Sequence, residues 1–258
     1  MTLIFGVHSC NEDSINNTGE NIVRKEIEYS EFEPNLNNSY NYIGELHNEI
    51  IHSFVTDYSD DELSIEEIIS IVESIANANE SFLSIKGEDY VPVSPSLILQ
   101  GINDLDNNFH SIIDSLDDVS TLAKGKLKTL VNHFFDSADL EEEPDYLEFD
   151  NYLANFEEEI LQDSSNYSPL ENSILLSAVA TARYSTFYWN NYYKNNGANY
   201  RSASDDNPPQ RRWWHWVIVG VADTAGVIAG AAVNPGVAVT SGSAASTAAY
   251  TMTNPRTK

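Results

Sequence analysis

The chain has 258 residues, 41% of them hydrophobic, which is enough to bury a core in one large or two small domains and too apolar for disorder throughout. A formal net charge of −27 excludes nucleic acid as a partner, because phosphate contacts need clustered Lys and Arg. That charge is uneven: residues 1–182 carry 6 of the 13 basic and 37 of the 40 acidic side chains, so an acidic body precedes a mildly basic tail suited to meeting an anionic membrane or, more simply, to docking on the body itself.

Residues 1–40 read as a signal remnant followed by a polar tether. The opening MTLIFGVHSCNED runs apolar over residues 3–7, reaches Ser9 and Cys10, and turns polar and acidic at once. This resembles the end of a bacterial lipoprotein signal peptide, and the resemblance implies lipid attachment at Cys10 and a place on the bacterial cell envelope or cell surface. The apolar run is shorter than the usual roughly 7–15 residues and lacks a basic start, and His8 stands where that family prefers a small or apolar side chain. A true start upstream of Met1 would account for the missing basic region. Cys10 is the single cysteine, so no intrachain disulfide is possible. The Asn- and Glu-rich stretch 11–41 has too little apolar surface for a core, although Tyr29, Phe32 and Pro34 are placed to dock locally.

From Asn41 to residue 198 the apolar spacing is helical throughout, and an acidic helical bundle is expected. YIGELHNEIIHSFV sets Ile43, Leu46, Ile50 and Phe54 on one stripe. SIEEIISIVESIANANE opens with a capping box of Ser64 and Glu67. Ser94 and Pro95 start a long helix with Ile98, Ile102, Leu105, Phe109, Ile112 and Leu116 inward, and helices over TLAKGKLKTLVNHFFDSA and DYLEFDNYLANFEEEILQ follow. The best-defined helix begins at Ser168, Pro169 and Glu171, runs about twenty-five residues and is aromatic in its second half. No strand alternation is visible, so the fold class is all-α, a multi-helix bundle.

Residues 199–212 form a linker rich in Ser, Asp, Asn and Pro. Beyond it, RRWWHWVIVGVADTAGVIAGAAV and VAVTSGSAASTAAYTM flank an Asn-Pro-Gly turn, and residues 213–252 are expected to pack on the bundle as an Ala/Gly-rich helical hairpin. Ala222, Gly226 and Gly230 on one arm and Ala238, Gly242 and Ser246 on the other recur every four residues, which lets two helix backbones approach closely. The pattern resembles the glycine-zipper hairpins of bacterial envelope proteins and bacteriocin-like peptides. It raises an alternative in which the hairpin inserts in a membrane, with Trp213, Trp214 and Trp216 as interface anchors. Asp223 near the middle of the first arm opposes that alternative, since an acid at a membrane helix centre costs about 2.5–3.5 kcal/mol. In the soluble reading the tryptophans pack on the aromatic half of the preceding helix, and Asp223 finds a hydrogen-bond partner.

The chemistry-bearing motifs are few. Glu45, Glu49 and His52 share a helix face, and Glu49-x-x-His52 has the spacing of di-iron carboxylate bundles, but the second such pair that chemistry needs is missing from the chain. Metal binding there ranks third among the readings, no catalytic residue is assigned, and no cofactor is expected. Tyr42, Gly44, His47 and Asn48 form a Tyr-x-Gly-x-x-His-Asn motif similar to one in secreted, Bacteroidota-like lipoprotein-type proteins, a family with no established activity. The sequence thus points to a non-enzymatic, lipid-anchored binding or assembly module, its ligand a protein or small molecule of unspecified identity.

Overall fold

The computed structural model describes residues 32–59, 61–96, 98–99, 105–138, 145–196 and 212–253, without the side chains of residues 105–108, 138, 196, 212–215 and 253. Cys10, Tyr29 and the linker 199–211 lie outside the described residues, as do the side chains of Trp213 and Trp214. Among the described residues the chain forms nine α-helices and no strand. They are α1 (Asn41–Tyr58), α2 (Ile65–Ala78), α3 (Glu80–Ile85), α4 (Leu105–Asp114), α5 (Thr121–Ala138), α6 (Tyr146–Gln162), α7 (Pro169–Asn196), α8 (Arg212–Ala231) and α9 (Pro235–Thr253).

Local chemistry places the helix ends. Ser64 and Glu67 exchange both bonds of a capping box at the start of α2. The Ser168 amide donates to Glu171 over 2.7 Å and the Glu171 amide to Ser168 Oγ over 3.2 Å, a second box at the start of α7. Asn79 ends the helix expected over 64–80 and starts one that was not expected: its extended backbone ends α2, and its Oδ1 accepts from the Phe82 amide over 3.1 Å to start α3. The helical turn after Ser94 is present, with Ile98 N donating to Ser94 O over 3.3 Å; residues 100–104 of the expected long helix lie outside the described residues.

The hairpin of α8 and α9 is the centre of the molecule, with α1, α2, α3, α4, α5 and α7 arranged against it. One continuous hydrophobic core joins it to the surrounding helices. Its composition explains the position, because a helix of Ala, Gly, Val, Ser and Thr is narrow and can be packed from every side. A Cβ at Gly226 would fall 2.8 Å from the Gly242 Cα, and one at Gly230 only 2.6 Å from the Ala238 Cα. The two backbones therefore touch, in an antiparallel register that pairs 226 with 242 and 230 with 238. Ala222 and Ser246 are buried further along the pair.

Helices of the outer layer reach the hairpin through larger side chains. Phe134 of α5 fills the space above Gly220, where a Cβ would meet its ring at 2.8 Å. The aromatic half of α7 packs on Tyr250 of α9: the Trp189 ring stacks at 5.1 Å, and the Tyr192 and Tyr250 hydroxyls bond over 2.9 Å. Trp216 is not part of that layer. It lies edge-on against Phe149 of α6 at 5.2 Å and is 2% exposed, so it neither stacks on the aromatic half of α7 nor stands at an interface.

The end of the tether is docked. Phe32 meets Tyr184 at 4.5 Å and Phe187 at 5.2 Å, and Arg183 donates to the Glu33 carbonyl over 2.9 Å. Arg183 also pairs with Glu157 over 2.9 Å and Asp150 over 3.2 Å, fixing α6 to α7 beneath the incoming chain.

Candidate functional site

The Tyr-x-Gly-x-x-His-Asn motif is the face by which α1 enters the core. Gly44 lies against α7, where a Cβ would stand 3.0 Å from the Ala180 carbonyl oxygen and closer still to the Tyr184 ring. Asn48 donates to the Tyr184 carbonyl over 2.8 Å, and its Oδ1 lies 3.1 Å from His47 Nδ1. His47 itself points at α9, near enough to Gly242 that a Cβ there would fall 3.1 Å from its ring. Tyr42 is half-buried at the outer end of the motif, its hydroxyl pKa raised by that burial and by nearby Tyr40.

Across the core from His47 is Asp223, the acid in the middle of α8. Both side chains are 0% exposed, with His47 Nε2 3.7 Å from Asp223 Oδ2, beyond hydrogen-bond length. Ser185 of α7 donates a short hydrogen bond to the same Oδ2. Trp189, one turn on, donates to Ser246 Oγ over 3.2 Å, and both belong to the group of donors around the Asp223 carboxyl. Four helices, α1, α7, α8 and α9, thus meet at one buried acid. The expected partner of Asp223 exists, although Ser185 could not be named from sequence.

Burial decides the protonation of this junction. It pushes the Asp223 carboxyl up to about 8, against the hydrogen bonds from Ser185, Ser246 and Trp189 that pull it down. It pushes the His47 imidazole down to about 4, against the opposing bonds to Asn48 and the Gly242 backbone. At neutral pH the pair is therefore a carboxylic acid beside a neutral imidazole.

The order of groups matters for what the junction can do. Nucleophilic catalysis needs the serine hydroxyl against the imidazole, with the carboxylate behind it. Here Ser185 bonds the carboxyl directly, and His47, Ser185 and Asp223 are each 0% exposed, beyond the reach of a substrate in this packing. The arrangement suits a positional role, in which one polar contact selects a single register for four helices.

Three threonine hydroxyls of the hairpin are satisfied locally. Thr224 donates to the Gly220 carbonyl over 2.8 Å, Thr240 to Gly236 over 3.1 Å and Thr247 to Ser243 over 2.8 Å, each within its own helix. The second arm occupies the core with Thr240, Ser241, Ser243, Ser246 and Thr247 all at 0% exposure: Thr240 and Thr247 bond within the helix and Ser246 accepts from Trp189, while the Ser241 and Ser243 hydroxyls are buried without a hydrogen-bond partner. No helix among the described residues is long and apolar enough to cross a membrane.

The other sequence candidates lie outside. Glu45, Glu49 and His52 are exposed on α1; Glu49 accepts from Asn79 Nδ2 over 2.7 Å, and the His52 ring stands edge-on to Tyr188 at 6.2 Å. Among the described residues no three His, Cys, Asp or Glu side chains gather as a metal site. The class defined by fold and junction is an all-α bundle wrapped round a small-residue hairpin. No family model, curated protein or solved structure matches the chain.

Proposed function

We propose that this chain is a non-enzymatic helical module of the bacterial cell envelope, held by lipid at Cys10 and used for binding or assembly. The observation that supports it most is the division of chemistry between inside and outside. The reactive side-chain types that converge, His47, Ser185 and Asp223, are sealed in the centre at 0% exposure, so the molecule meets others through the outer faces of its acidic helices. The composition of the segment after Cys10 supports the anchoring half of the reading, since a polar, Asn- and Glu-rich stretch is what a displayed domain needs between its anchor and its body.

Anchoring is tested by metabolic labelling of the natural precursor with an alkyne fatty acid. Wild type is expected to label and to sediment with membranes; Cys10→Ser should do neither. Equal membrane retention of both proteins would overturn the anchor and move attention to the 213–252 hairpin as the membrane-seeking element.

A further inference from the structure

The two ends of the α8–α9 hairpin are closed in different ways. At the end away from the turn, the Trp189 and Tyr192 rings of α7 pack on Tyr250 of α9. At the turn end the cover is residues 86–93, the stretch that leaves α3 and crosses the first turn of α9. Gly236 records the crossing: a Cβ there would stand 2.8 Å from the Lys86 Cα and 3.2 Å from the Tyr90 ring, so backbone lies on backbone. Gly236 is buried beneath it.

Tyr90 pins this stretch. Its hydroxyl donates to the Glu73 carboxylate of α2 and lies 3.2 Å from Thr240 Oγ1 of α9, while its ring stands edge-on to Phe82 of α3 at 5.8 Å. Glu73 also accepts from the Val93 amide over 3.3 Å, so one carboxylate oxygen holds the stretch at its middle and at its far end. At the near end Lys86 lies over the Tyr90 ring, 4.6 Å from its centre, and donates to Asn77 Oδ1 over 2.6 Å.

Little else holds it. Residues 87–89, 91 and 92 are exposed, and among the described residues 87–93 form no backbone–backbone hydrogen bond. Segments with few buried apolar contacts and no ladder of hydrogen bonds open at a free energy below that of the whole fold. Phe82 and Thr240, which touch Tyr90, are by contrast 0% exposed. We propose that residues 86–93 are a strap, latched by Tyr90 on Glu73, that lifts while the helices stay folded and so bares the turn end of the hairpin. The strap makes that end, rather than the aromatic one, the place where the centre of the bundle is reached without unfolding it.

Two amides read the opening. That of Val93 is bonded to the latch carboxylate itself. That of Gly236, in the first turn of α9, has no carbonyl of its own helix to bond and lies under Lys86. The test is native-state hydrogen exchange of the full chain by NMR, in buffer and at low urea. Both amides are expected to exchange at least tenfold faster than that of Val179 in α7, with a weaker dependence on urea. Tyr90→Phe should speed both at least tenfold further and leave Val179 unchanged; Glu73→Gln, which keeps the side-chain shape and weakens the latch, carries the same expectation should Tyr90→Phe fail to fold. Exchange of Val93 and Gly236 only in step with Val179 would overturn the strap as a unit that opens by itself. So would a variant that speeds all three amides alike, or one that leaves the first two as in wild type. Faster exchange at Val93 with Gly236 unmoved overturns the baring of the hairpin.

Discussion

Asp223 and His47 give the junction a pH signature with a sign that can be worked out. Unfolding releases the proton of Asp223 wherever pH lies between its ordinary 3.8 and its folded value of about 8. Its contribution to stability is therefore complete below that window and falls as pH rises through it, by up to ~1.4 kcal/mol per pH unit. For His47 the unfolded chain takes up a proton below the ordinary 6.5, and the folded chain resists until about 4. Its contribution is complete above 6.5 and is lost as pH falls. Between about pH 4 and 6.5 the two slopes oppose and cancel. Relative to wild type, Asp223→Asn should gain stability steadily from pH 4 to 8, whereas His47→Gln should lose it from pH 4 to 6.5 and then stay level. Urea denaturation at half-unit pH steps measures this; difference profiles that are flat for both variants would refute the buried neutral pair. Glu171, held down to about 2 by its bonds from Ser120 and Ser168, behaves in the opposite sense to Asp223. Its contribution is present above the ordinary 4.5 and lost as pH falls toward 2, so Glu171→Gln should lose its disadvantage in that acid range.

Among the elements, the α8–α9 pair leaves least room for change. With backbone atoms already closer than a methyl group allows at Gly226, Gly226→Leu must separate the helices and should cost at least ~1–3 kcal/mol, read as a lower denaturation midpoint. The α6–α7 joint makes a different prediction. Glu157 is fully buried, and burial raises its pKa even though Asn38 and Arg183 hold it. Arg183→Met leaves that carboxyl and Asp150 without their cation and removes the donor to the Glu33 carbonyl. A loss of about 3–5 kcal/mol is expected, together with faster proteolysis ahead of Phe32; a variant as stable and as resistant as wild type would show the joint to be ornamental. Much at this scale was legible beforehand, because caps and periodicity are local. The boxes at Ser64 and Ser168 and the small-residue spacing of the hairpin each act within a few residues of chain. The short helix α3 was missed because six residues carry little periodicity, and Asn79, two residues after Asn77, does not stand out as its cap until its side chain is seen accepting from Phe82. The junction was less legible still: Asp223 announced itself as an acid in an apolar helix, but its neighbours His47 and Ser185 come from distant helices, and nothing periodic links them. Trp216 was assigned to the wrong aromatic layer for the same reason, as Phe149 and the rings of α7 compete equally in sequence.

At the level of the whole molecule the hairpin is the core on which the other helices depend. Deleting residues 213–258 removes the surface that α1, α2, α4, α5 and α7 bury against, so the remaining chain should lose cooperative unfolding and much of its helical circular dichroism. A truncated body that keeps a sharp transition would mean that the outer helices hold one another. The order of the chain adds a consequence in time. Domains usually acquire structure from the N-terminus as synthesis proceeds, but here every helix of the outer layer is made before the two that it surrounds. Until the hairpin emerges, α1, α6 and α7 can pack on one another, but the faces of α1, α2, α4, α5 and α7 that bury against the hairpin have no partner. The outer helices are therefore expected to complete their packing only once α8 and α9, which follow them in the chain, are free to be enclosed.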